Sequence, residues 1–162
     1  MTPADEALAH VQIQSLLSLY YQALDAGDLA RLERDVMSKD ATWHVIQVAT
    51  TGRVEDEVSG RDEVLGWFRK MLSGGVSMSE GTVLHFLSTH VIHIDGDRAT
   101  STSHLQAVST PTRQILATGV AEAEHVRTPS GWRIRSYKVT ERITDADMLA
   151  LKQTLGLEYQ SH

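Results

Sequence analysis

A histidine in an apolar stretch and an aspartate at a helix end are the side chains of this sequence best placed to move protons. His85 sits in Thr82-Val83-Leu84-His85-Phe86-Leu87, where a lone ionisable group costs free energy unless it meets a partner. Asp25 falls in the last turn of a long amphipathic segment, where the helix macrodipole disfavours an acid, so it too needs a compensating donor. A carboxylate that accepts one ring N–H of an imidazole fixes its tautomer and leaves the other ring nitrogen free to take a proton, the arrangement of a general base. The competing reading of Asp25 is a solvated residue at a helix end. Tyr20 and Tyr21 lie about one turn earlier and offer a phenol to the same spot, the other of the two serving the core.

Hairpin geometry supplies a further candidate. With Asp95-Gly96 at the centre of a two-residue turn, Ile94 pairs with Asp97, His85 faces Gln106 and Leu87 faces His104. His85 and His104 then share a face as diagonal neighbours about 7–8 Å apart, with room for a substrate oxygen or a water between the rings. A three-residue loop without a bulge puts them on opposite faces. His90 and His93 are expected to decorate the outer face and the hairpin end. Strand positions i and i+5 face opposite sides, so His85 and His90 should not share a metal, and no metal site is expected. Trp67, Phe68 and Trp132 read as core, whereas Trp43 on the first strand and Arg142 beyond the last one read as either core or pocket.

These residues need a scaffold, and the periodicity describes one. Apolar positions at Val11, Ile13, Leu16, Leu17, Tyr20, Tyr21 and Leu24 predict a helix from Ala4 to about Ala26, stopped by Gly27. Asp28 caps a short second helix through Leu29, Leu32 and Val36. Ala41 to Val48 is β-branched and aromatic, as a strand should be, and Gly60 to Leu72 returns to helical spacing before Gly74-Gly75. Four strand-like runs follow, Val83 to Ile94, Ala99 to Ser109, Gln114 to Val126 and Trp132 to Thr140, with turn chemistry between them; a last helix spans Asp145 to Leu155. Helices first and then a meander make an α+β order, in which the helices cover one face of a curved sheet and leave a hollow beneath them.

Composition narrows the function classes. The 162 residues suit one domain, 1–162, with 41% hydrophobic and 22% charged residues near the globular average. The absence of cysteine excludes disulfides and thiolate chemistry, and a net charge of −6 without a basic stretch argues against nucleic acid. No apolar run approaches the roughly 20 residues of a membrane span, and Met-Thr-Pro-Ala-Asp-Glu lacks the regions of a signal peptide, so a cytoplasmic protein with no membrane partner is expected. No Gly-rich phosphate loop, Gly-x-Ser-x-Gly elbow or His-Glu-x-x-His helix occurs; the expected chemistry uses no cofactor.

Taken in order, Leu24-Asp25-Ala26-Gly27-Asp28-Leu29-Ala30-Arg31-Leu32, Gly60-Arg61-Asp62-Glu63-Val64, His85-Phe86, Asp95-Gly96-Asp97-Arg98-Ala99 and Gly131-Trp132-Arg133-Ile134 resemble the SnoaL-like group of the nuclear transport factor 2-like superfamily, from about Ala7 to Arg142. The resemblance implies a cone-shaped α+β barrel with a deep pocket. It is strongest to the scytalone dehydratase and bile-acid dehydratase-like branch, which implies Asp25 and His85 as a catalytic pair and His104 as a second histidine. Leu24 and Trp43 stand where scytalone dehydratases carry tyrosines, while Tyr20 and Arg142 match a tyrosine and an arginine of the bile-acid enzymes. Hexachlorocyclohexane dehydrochlorinase carries a similar Asp–His pair. The function implied is a dehydratase, isomerase or cyclase acting on a small apolar cyclic substrate such as a polyketide, steroid or aromatic compound. His85 would be the base, Asp25 its partner, His104 and Tyr20 the groups that protonate or hold an oxygen, and Trp43, Leu24 and Arg142 substrate contacts. The fold also serves non-catalytic carriers of apolar ligands and the β subunits of ring-hydroxylating dioxygenases, and it suits homodimers or homotrimers. The ionisable pair favours the enzyme, because an accessory subunit has no need of it.

Overall fold

Thr2 begins the first helix with a reciprocal cap: its hydroxyl accepts from the Asp5 N–H while the Asp5 carboxylate takes the Thr2 N–H. The computed structural model describes residues 2–73 and 82–157. Helix α1 (Pro3–Asp25) buries Ala9, Ile13, Leu16, Leu17, Tyr20, Tyr21 and Leu24, a stripe repeating every three to four residues, whereas Val11 faces solvent. Gly27, at φ +65°, reverses the chain into a three-residue helix α2 (Leu29–Arg31) capped by Asp28, which runs on as a single π-helical turn (Leu32–Val36) with Leu32 and Val36 buried.

Six strands follow: β1 (Met37–Ala49), β2 (Gly52–Ser59), β3 (Val83–Asp95), β4 (Arg98–Ser109), β5 (Ile115–Thr128) and β6 (Gly131–Ile143). Helix α3 (Arg61–Ser73) separates β2 from β3, and α4 (Asp145–Leu155) closes the described chain. Gly74 and Gly75, expected to end α3, lie outside the described residues. The sheet runs β2-β1-β6-β5-β4-β3, with β3 to β6 the expected antiparallel meander and β1 joining β6 in parallel. The architecture is α+β, with the N-terminal helices packed on a curved mixed sheet; β2 and β3 remain edges, so the cone wall does not close. Sequence patterning overlooked β2 because its alternation is masked by charge. Only Val54 and Val58 face inward with Asp56, and charged edge strands of this kind resist further pairing.

The hairpin β3–β4 corrects the expected register. Its turn closes on Asp95 and Arg98 rather than on Ile94 and Asp97. The turn slides by one residue, which shifts the cross-strand register by two and so leaves every side chain on its expected face. A one-residue bulge at Thr89, held at φ 53°, then shifts the pairing, so that His85 faces Ala107 and His104 faces Ser88. His104 is thereby turned to the exposed outer face, where Thr89 Oγ1 bonds its Nδ1 at 2.7 Å. The same bulge brings His90 round to the inner face, where its Nδ1 lies 2.8 Å from Ser103 Oγ, against the expectation that it faces out. Among the described residues no helix is long and apolar enough to cross a membrane.

Candidate active site

Helix α1 lies across β3 and sets its last residue against the start of that strand. Asp25 Oδ2 accepts the His85 backbone N–H at 2.9 Å, and Oδ1 meets the His85 ring Nδ1 at 2.5 Å. The two side chains are 12% and 7% exposed, so both bonds form away from bulk water. These donors are the compensation that an acid at a helix C-terminus requires. With Nδ1–H donated to the carboxylate, Nε2 carries the lone pair. The Tyr21 ring stacks on the imidazole at 4.9 Å and 28°, fixing its plane.

A box of aromatic rings forms the wall. Trp43 Nε1 donates to Tyr20 Oη at 3.1 Å, the Trp43 and Tyr137 rings stack at 5.3 Å, and the Tyr21 and Tyr137 hydroxyls share a short hydrogen bond. Burial pushes all three phenols above the ordinary tyrosine range, so each is a neutral hydroxyl at physiological pH. Tyr20, Trp43, Leu24 and His85 border one cavity together with Phe68, Trp67 and Glu141. Its free volume is about 40 Å³, room for roughly one to three waters. A ring-sized ligand enters only as this wall moves aside. Trp67 is half-buried on α3 and tethered by a 2.7 Å bond from Nε1 to Asp56.

Two expected contacts are absent from this cavity. His104 is on the other side of the sheet. Arg142 is exposed on the outer face as well, because the inward positions near the end of β6 are Tyr137, Val139 and Glu141. The pocket floor therefore carries an acid where the resemblance implied an arginine. Glu141 Oε1 accepts from Gln47 Nε2 at 2.6 Å, and burial holds its carboxyl above the usual glutamate range, the Gln47 bond and the His85 imidazole pulling the other way. Neither Glu141 nor Gln47 was singled out from the sequence. The signal was present: an acid at an inward position of an otherwise apolar alternation, with a glutamine at the inward position of β1 that pairs with it.

The remaining histidines lie apart. His125 is buried on β5 with Nε2 2.8 Å from Ser101 Oγ, its Nδ1 unpartnered and its pKa pushed down to about 4 by burial. His93 borders a separate hollow of about 300 Å³ at the end of the β3–β4 hairpin, among Asp95, Arg98, Glu124 and Arg135. Among the described residues no three His, Asp or Glu side chains gather as a metal-ligand set.

A family model described as a SnoaL-like domain matches residues 5–138. Comparison with curated protein sequences gives no match. Among solved structures, a protein of unknown function with a cystatin-like fold from Nostoc punctiforme is 16% identical, with a TM-score of 0.66 over 90% of this chain and 96% of the other. A candidate dehydratase of the nuclear transport factor 2-like family from Streptomyces avermitilis is 18% identical, with a TM-score of 0.60 over 85% of this chain and 97% of the other. LinA is 17% identical, with a TM-score of 0.65 over 87% of this chain and 90% of the other. At these identities the likeness establishes the fold.

Proposed function

The chain belongs to the SnoaL-like domain family, and on that premise we propose that it is a cofactor-independent acid–base enzyme that removes a proton from a small, largely apolar cyclic substrate. Elimination or isomerisation would follow. The observation that carries this reading is the Asp25–His85 pair in a water-poor aromatic pocket, with Nε2 as the free base. Asp25 holds the ring in the one tautomer that can accept a proton and stabilises the imidazolium that results. The aromatic wall recognises an apolar ring, and the neutral phenols are donors to an oxygen on it. The described resemblance of fold to a candidate dehydratase is in keeping with the elimination arm.

The test needs no knowledge of the natural substrate. Cyclic ketones are incubated with the protein in D₂O and exchange of their α-protons is followed by NMR. The wild type should accelerate exchange of at least one ketone, and His85→Ala should lower that rate by about 10²–10⁴. Exchange by His85→Ala at the wild-type rate sinks the assignment.

A further inference from the structure

Glu141 takes no part in proton abstraction by His85, yet it is built into the same cavity at some expense to the fold. It lies between Gln47 of β1 and Gly119 of β5, its partners in the sheet. Gly119 is required there: a Cβ on it would lie 2.3 Å from the Thr140 carbonyl oxygen and 2.9 Å from the Glu141 Cβ. The strands therefore close tightly on the Glu141 backbone, and its side chain lines the hollow that His85 and Tyr20 border. Among the described residues Gln47 is its one hydrogen-bond partner. The titratable groups that act on it are His85 from β3, with Tyr20 and Tyr21 from α1, Tyr137 on its own strand and Asp147 from α4; no lysine or arginine pairs with it among the described residues. Burial without a lysine or arginine partner favours the protonated form of its carboxyl. Gln47 donates to Oε1, which leaves Oε2 as the oxygen open to a proton.

We propose that Glu141 is the general acid of this site: on a cyclic β-hydroxy ketone it protonates the hydroxyl as it departs while His85 takes the α-proton. This rests on His85 being the base. His85 Nε2 forms its N–H bond as the α C–H bond breaks, and that electron pair becomes the C=C bond of an enone. The C–O bond breaks, and the oxygen leaves with its electron pair and the Glu141 proton, as water. An imidazolium and a carboxylate remain, and proton transfer from one to the other through a water restores both. An anionic substrate is disfavoured, because the Asp25 carboxylate lies behind His85 and no lysine or arginine among the described residues lines the cavity.

Two measurements decide it. Infrared spectra of the wild type at pH 7, with and without ¹³C-glutamate, should contain a protonated carboxyl C=O band that shifts with the label; its absence means an ionised Glu141 and overturns the proposal. Turnover is then compared on 3-hydroxycyclohexanone and 3-acetoxycyclohexanone, since acetate leaves without a proton and hydroxide does not. Glu141→Gln should lose at least about 10² on the hydroxy ketone and stay within about threefold of wild type on the acetoxy ketone. Equal losses on both, or none, overturn the acid role, and a wild type that turns over neither overturns the elimination that the acid would serve. His85→Ala should lose both activities; its retention of either sinks the base, a failure separate from that of Glu141.

Discussion

Replacing Asp25 by asparagine keeps the shape of the side chain and removes one acceptor. In the wild type Oδ2 takes the His85 backbone N–H at 2.9 Å and Oδ1 takes the ring Nδ1–H at 2.5 Å. Asparagine retains one of these bonds through its carbonyl, but its amide nitrogen is a donor and demands a lone pair on the ring nitrogen opposite. The imidazole meets that demand by moving its proton to Nε2, the atom that has to be free for catalysis. The α-proton exchange rate should then fall about as far as in His85→Ala, by roughly 10²–10⁴. Both partners are almost fully shielded from solvent, so the lost charge-assisted bond is worth about 1.5–3 kcal/mol of stability. Asp25→Ala strands both His85 donors and should cost more, about 2–6 kcal/mol at 1–3 for each buried orphan. Urea unfolding of the three proteins checks the ordering, and ¹⁵N shifts of the His85 ring report the tautomer directly. An asparagine variant that keeps its proton on Nδ1, or exchanges ketone protons at the wild-type rate, refutes the reasoning.

The other expectations concern residues around the dyad. His125 has its pKa pushed from 6.5 down to about 4 by burial, so the unfolded chain binds a proton that the folded one refuses as pH falls through that window. Stability should drop by about 3 kcal/mol between pH 6.5 and 4 on this account, and His125→Gln, which keeps a partner for Ser101, should remove most of that drop in urea titrations at the two pH values. For Glu141 the sign is opposite: the unfolded carboxyl ionises above its ordinary pKa of 4.5 while the folded one resists, so the penalty grows as pH rises. Glu141→Gln should thus be more stable relative to wild type at pH 7 than at pH 4. Gly119→Ala forces a methyl into the Thr140 carbonyl and should cost about 1–3 kcal/mol or more, read as a lowered unfolding temperature. His104→Ala and Arg142→Ala, on the outer face, should leave exchange rates within about twofold of wild type.

Much of this protein was legible in one dimension. The helical stripe from Ile13 to Leu24, the glycine stop at Gly27, the meander and its turns, and the α+β order all follow from local periodicity and turn chemistry, which act over a few residues and are written in neighbours. So was the need of Asp25 and His85 for partners, because an acid at a helix C-terminus and an imidazole in an apolar strand are each costly alone. That each satisfies the other was a matter of tertiary geometry, settled by how α1 crosses β3. The register of β3 against β4 was out of reach for the same kind of reason. A single extra residue at Thr89 reverses the face of everything beyond it, moving His104 out and His90 in, and no local preference of a threonine announces a bulge. Glu141 shows the same division: its alternation with Tyr137 and Val139 is visible in the sequence, but only the parallel pairing with β1, nearly a hundred residues away along the chain, brings Gln47 to its carboxyl and turns a surface-type residue into a buried acid. Local sequence sets which groups need satisfying; long-range pairing decides which group satisfies which.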